Sequence, residues 1–181
     1  MSFSVNFPTI ITFSRILIII PFIWVASRNP LLGAVLFAIA AVTDFLDGYL
    51  ARRSQQITKT GILLDPIADK LLVIAALIVL VDMELVPAWI AIVIVAREFV
   101  ITGLRVVALS KDILIPAEMG GKIKVVAQIA SILVLLLDKD SLFKSYVDVD
   151  LYGIGITLLW IAMILSVISG VHYFILFWKK L

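Results

Sequence analysis

An all-α, polytopic membrane protein with six transmembrane helices in one domain, residues 1–181, is the fold class this sequence predicts, on three observations. The chain is 63% hydrophobic and only 15% charged, more apolar than a soluble core of this size could shield from water. Its apolar residues fall in stretches near the roughly 20 that a helix needs to cross the hydrocarbon of a bilayer. Those stretches are separated by turn-forming residues.

The first segment, Ile10–Ala26, has no separate charged region, short apolar core and small-residue cleavage site, so it is expected to remain in the mature protein. Asn29-Pro30 ends it and Leu31–Leu50 follows, with Asp44 and Asp47 near its close. The third, Ile62–Val81, opens with Asp65 and Asp69, and Pro66 is expected in its first turn. The stretch Asp82 to Pro87 marks a break before Val86–Ala108, and Pro116 to Gly121 marks the next. Ile123–Leu137 is the shortest segment. After the polar run Asp138 to Asp150, whose acids read as solvated loop residues together with Asp82 and Glu84, the chain closes with Leu151–Trp178. That last segment is about 42 Å long as a helix and overshoots a hydrocarbon core of roughly 30 Å, so it should tilt or project.

Six crossings put both termini on one side. Twelve basic residues then fall on that side, and Arg28, Lys139 and Lys144 on the other, which makes the terminal side cytoplasmic by the positive-inside rule. The net charge of +2, without a Lys/Arg-rich run, gives no footprint for nucleic acid. Without cysteine there are no disulfides and no thiolate metal sites. Trp89, Trp160 and Trp178 suit an interfacial belt.

The chemistry concentrates between the second and third segments. Asp44 and Asp47, three apart, share one helical face about 60° wide, and Asp65 and Asp69, four apart, share another. An antiparallel hairpin of the two segments would bring four carboxylates to one cytoplasmic mouth. Four such charges repel one another and lose solvation there, and bound cations are the simplest remedy. Hard oxygen donors with no His or Cys nearby point to Mg²⁺ or Mn²⁺, and such a cluster suits two ions and phosphoryl chemistry. Gly48 and Gly61 would let a ligand approach the backbone, and Arg52, on the face of Asp44 and Gly48, would reach a diphosphate.

Read in full, Asp44-x-x-Asp47-Gly48-x-x-Ala51-Arg52, eight residues, then Gly61-x-x-x-Asp65-x-x-x-Asp69 resembles the complete signature of the CDP-alcohol phosphatidyltransferase family. The N-terminal NFPTIITFSR is also similar to a family stretch, with Thr9 in place of the usual asparagine. The resemblance implies six transmembrane helices, a homodimer, and two divalent metals on Asp44, Asp47 and Asp65 with Asp69 at the edge. It also implies a CDP-lipid held by Asp44, Gly48, Ala51, Arg52 and Gly61, and Asp69 as the general base for the acceptor hydroxyl.

The acceptor is read from polar residues on the same side. AREFVITGLR carries Arg97 and Arg105, about 80° apart on a helix and able to flank one anion, and GGKIK adds Lys122 and Lys124. These strings are similar to those of the family branch whose acceptor is glycerol 3-phosphate and whose donor is CDP-diacylglycerol. The expectation is therefore a cytoplasmic-membrane enzyme of phosphatidylglycerol synthesis. The same chemistry on an inositol phosphate, serine or a phosphatidylglycerol is the nearest rival. A divalent-cation transporter is more distant, since the aspartates lie at helix ends and not at mid-membrane. His172, the only histidine, reads as a packing or interfacial group, and Tyr49 has no assigned role. Ser169-Gly170, one turn before it, suggests close helix packing.

Overall fold

The computed structural model describes residues 7–54, 59–111, 120–146 and 149–180, with side chains at 17–43, 70–108, 110–111, 123–146 and 149–180. Within that set the chain is helical, without strands. The elements are α1 (Phe7–Ala26), α2 (Pro30–Ser54), α3 (Lys59–Asp82), α4 (Ala88–Ser110), α5 (Gly120–Lys139), the short α6 (Ser141–Tyr146) and α7 (Leu151–Lys179). Each expected segment has its helix, and α6 sits inside the polar run that was expected to be loop.

Polar side chains cap the breaks. Asn29 Oδ1 accepts the Leu32 N–H at 3.0 Å at the head of α2. Asp140 Oδ1 does the same for Phe143 at 2.8 Å in α6, and Asp150 Oδ1 for Gly153 at 2.9 Å in α7. Between α3 and α4, Glu84 takes a left-handed φ of 60°. That turn lets the Leu85 and Glu84 N–H groups close onto the carbonyls of Leu80 and Val81, at 2.9 and 3.0 Å, and satisfies the end of α3.

Two expectations need correction. Asp138 is buried rather than solvated, because Lys144 on α6 folds back to pair with it at 3.1 Å. And α3 begins at Lys59, ahead of Ile62, so Asp65 and Pro66 stand more than a turn inside it. Nothing in Lys59–Gly61 stops a helix from starting earlier. Pro66 is therefore not in the first turn, and the dipole of that turn does not act on Asp65, since its effect fades within one turn.

The core is built from Phe22, Phe37, Leu77, Leu80, Ile90, Ile94, Ile132, Leu135, Leu136 and Leu159, one to three from each long helix and all essentially sealed from solvent. Phe22 and Phe37 pack with ring centroids 5.8 Å apart where α1 meets α2. Small residues bring backbones together. A side chain at Gly33 would come within 2.6 Å of Ala26 Cα, and one at Gly155 within 2.7 Å of Leu135 Cγ. α5 and α7 share the largest helix interface, where Ser131 Oγ donates to the Gly155 carbonyl at 2.7 Å.

Outside this core the surface is greasy. Leu17 and Ile20 on α1, Ile39 and Val42 on α2, Ile78 on α3, Ile92 and Val100 on α4, Val126 on α5 and Ile168 on α7 are all exposed. Among the described residues α7 is long and apolar enough to cross a membrane, and Leu17–Ala26 and Pro30–Thr43 are shorter apolar runs. The other helices carry charge inside the apolar stretch, as α4 does at Arg97, Glu98 and Arg105, or continue into residues whose side chains are not described.

Candidate active site

α2 and α3 follow one another through residues 55–58 and touch. The continuous helix of α2 carries Asp44, Asp47, Gly48, Ala51 and Arg52 near its end, so the one-face spacing expected for the two aspartates is helical spacing in fact. α3 carries Gly61, Asp65 and Asp69 in its first half. The side chains of these eight residues, and of Lys122, lie outside the described residues. The donor chemistry itself fits a metal: four carboxylates from the facing ends of two consecutive helices, with no imidazole or thiol in either helix, is a set for hard divalent cations. Among the described residues no other group of acidic or histidine side chains could hold one.

The residue after Asp69 begins a second constellation. Lys70 turns from α3 towards α4, where its Nζ stands 3.5 Å from Glu98 Oε2 and donates to Thr102 Oγ1. Thr102 in turn donates to the Glu98 carbonyl at 2.7 Å. Lys124 on α5 pairs with Glu98 Oε1, and the same oxygen accepts Arg97 Nη1 at 2.8 Å. One carboxylate thus holds cations from three helices, with two positive charges in excess. All four side chains are largely withdrawn from solvent, and Lys124 is only 6% exposed.

Arg97 does more than meet Glu98. Its Nε donates to the Ser166 carbonyl at 2.8 Å and Nη2 to Ser169 Oγ at 2.6 Å, which ties α4 to α7. The guanidinium fits there because residue 170 is glycine: a Cβ at that position would stand 3.2 Å from both Arg97 Cγ and Nε. The close packing expected at Ser169-Gly170 is therefore a seat for an arginine. Two buried polar atoms near these residues have no hydrogen-bond partner among the described residues, Gln128 Nε2, one turn beyond Lys124 on α5, and Ser166 Oγ.

Of the four residues expected to hold an acceptor phosphate, Arg97 and Lys124 are brought together through Glu98. Arg105 lies two turns along α4 with an exposed side chain. Lys70, Glu98, Thr102, Gln128, Ser166 and Ser169, which the structure places near these two, were not among the expected site residues. For Lys70 a signal was present, since it directly follows Asp69 on the same turn of α3.

Comparison with known proteins identifies the family. The pattern of the CDP-alcohol phosphatidyltransferase family matches residues 5–168. A protein of Bacillus subtilis named CDP-diacylglycerol--glycerol-3-phosphate 3-phosphatidyltransferase is 42% identical over 193 aligned positions, covering 97% of each chain. Proteins of the same name from Rickettsia felis and Pectobacterium atrosepticum are each 36% identical, the first over 96% of both chains and the second over 93% of this chain and 92% of its own.

Proposed function

The chain belongs to the CDP-alcohol phosphatidyltransferase family, and from that premise we propose that it transfers the phosphatidyl group of CDP-diacylglycerol to glycerol 3-phosphate, giving phosphatidylglycerol phosphate and CMP. The observation that carries this reading is end-to-end similarity to relatives bearing that activity in their names, with every fixed residue of the aspartate signature present.

In the proposed reaction the sn-1 hydroxyl oxygen of glycerol 3-phosphate attacks the lipid-bearing phosphorus. The new O–P bond forms as the bond to CMP breaks. Asp69 takes the hydroxyl proton, and Gly48, Ala51, Arg52 and Gly61 hold the nucleotide and its phosphates. Asp44, Asp47 and Asp65, with Asp69 at the edge, would hold two Mg²⁺ or Mn²⁺ ions, which when bound neutralise the diphosphate and the leaving oxygen. The acceptor phosphate lies among Arg97, Arg105, Lys122 and Lys124, with Lys70 added by its place in the Glu98 cluster.

We also read the chain as one domain whose six long helices all cross the membrane, with the aspartates on the cytoplasmic face. The exposed aliphatic side chains on each of them support this, because a water-facing surface does not present apolar side chains all around a bundle. The charges of Lys70, Arg97, Glu98 and Lys124 inside α3, α4 and α5 are compatible with a bilayer, since they are withdrawn from the surface and pair with one another. A homodimer follows from the family resemblance.

The test is purified protein in detergent with CDP-diacylglycerol and Mg²⁺, offered labelled glycerol 3-phosphate, serine or inositol phosphate in separate reactions. Labelled lipid and CMP from glycerol 3-phosphate alone, abolished by EDTA, are expected. Product from a different alcohol would overturn the acceptor, and no CMP with any acceptor would overturn the transferase reading.

A further inference from the structure

We propose that Glu98 is a positioning residue for the acceptor phosphate: it gathers Lys70 and Lys124 from two other helices into one anion-binding cluster. This inference rests on the acceptor reading above.

A carboxylate inside a pocket for an anion is at first sight the wrong charge. By itself it repels a phosphate, and an acidic side chain in an apolar bundle needs a reason to be there. The contacts supply one. Lys70, Arg97 and Lys124 stand on three different helices, and their like charges would drive them apart. Lysine stems are long enough to carry the ammonium groups elsewhere, towards water. Glu98 is the group all three share, with Lys124 and Arg97 on Oε1 and Lys70 beside Oε2.

The arrangement leaves the right surplus. Three cations on one carboxylate retain two positive charges, and a phosphate monoester carries about −1.5 to −2 at neutral pH. Donors remain as well. An ammonium has three N–H groups, and among the described residues Lys124 donates to one side chain, Glu98. Gln128 Nε2, buried and without a hydrogen-bond partner among the described residues one turn further along α5, is an additional donor on the Lys124 side. Arg97 differs, because each of its three nitrogens already donates, Nε to the Ser166 carbonyl, Nη1 to Glu98 and Nη2 to Ser169, which uses three of its five N–H groups and fixes the plane of the fork. The structure therefore divides the work: Arg97 fixes Glu98, and Glu98 presents the two lysines.

The site also lies in the right place. Lys70 directly follows Asp69 on α3, so the cluster adjoins the helical turn that carries the proposed base.

Glu98→Gln tests the proposal, since it keeps the shape and removes the charge, and Glu98→Asp keeps the charge on a shorter stem. In detergent with Mg²⁺, the KM for glycerol 3-phosphate should rise about tenfold or more in Glu98→Gln, the scale of losing one charge-assisted contact. The KM for CDP-diacylglycerol should stay near wild type, whereas the unfolding temperature falls because three cations lose their shared partner, and Glu98→Asp should fall between the two proteins. An unchanged or lower KM for glycerol 3-phosphate overturns the proposal. So does an equal rise for both substrates, which is what a purely structural carboxylate would give. Should Glu98→Gln fail to fold, Glu98→Asp decides by the same split. A wild-type protein that makes no lipid from glycerol 3-phosphate overturns the acceptor reading itself, and that control separates the two failures.

Discussion

Replacing Arg97 by lysine keeps a positive charge beside Glu98 and removes the fork that joins α4 to α7. Arginine makes three bonds at this point, to Glu98 Oε1 at 2.8 Å, the Ser166 carbonyl at 2.8 Å and Ser169 Oγ at 2.6 Å. One ammonium can keep the first but cannot reach the other two at once, because they lie on the opposite side of a planar group. Hydrogen bonds from a charged donor contribute about 1.5–3 kcal/mol each. The low end applies, because Ser169 Oγ keeps a bond of its own to the Ser166 carbonyl at 3.3 Å and is not orphaned. Two lost bonds then cost about 3 kcal/mol, which for a chain of this length lowers the unfolding midpoint by about 6–12 °C. Thermal unfolding in one detergent, followed by circular dichroism on wild type and Arg97→Lys side by side, reads this directly. A midpoint within about 1 °C of wild type would refute the strut between α4 and α7 and return Arg97 to a role in ligand binding alone.

The other expectations concern the aspartates, the second arginine and the α5–α7 interface. Asp69→Asn should lower turnover by about 10²–10⁴-fold, the usual worth of a positioned base, while CDP-lipid still binds. Asp47→Asn should lose the metal-dependent part of CDP-lipid binding as well, and calorimetry with and without Mg²⁺ separates the two variants. Arg105→Ala should raise the KM for glycerol 3-phosphate more than that for CDP-diacylglycerol, and equal changes would place its side chain outside the acceptor pocket. Gly155→Ala forces a methyl to 2.7 Å from Leu135 Cγ in a sealed core. Overpacking of about 2–3 kcal/mol, less about 1 kcal/mol of helix propensity, leaves it about 1–2 kcal/mol less stable by denaturation.

How much of this could be read in the sequence depended on whether the signal was local. The helices and their breaks were legible because apolar runs and turn residues are properties of neighbours along the chain. Helix ends were less so: α2 runs on to Ser54 and α3 begins at Lys59, since Arg52, Arg53 and Gly61 do not stop a helix by themselves. The aspartate signature was legible for the same reason, as spacings of three and four become faces once the segment is helical. The Glu98 cluster was not. Sequence places Arg97 beside Glu98 but cannot show that α3, α5 and α7 bring Lys70, Lys124, Ser166 and Ser169 to that pair. Lys70 counted only as one more basic residue of the cytoplasmic side. Asp138 misled in the opposite direction, because a polar run reads as solvent-facing until Lys144 is seen to fold over it.

The ties of Arg97 bear on the order in which the protein is made. On the proposal that α4 crosses the membrane, Arg97 and Glu98 side by side make it enter a bilayer poorly on its own account, since on an insertion scale a charged residue at the centre of a membrane helix costs about 2.5–3.5 kcal/mol. Only part of that cost is recovered within the helix, by the bond between the two. Lys70 is already present from α3 when α4 emerges from synthesis, Lys124 arrives with α5, and Ser166 and Ser169 come last of all. The final helix of the chain thus supplies the partners that close the account of the fourth, and a nascent protein stopped before α7 holds a guanidinium with two of its three hydrogen-bond acceptors still unsynthesised.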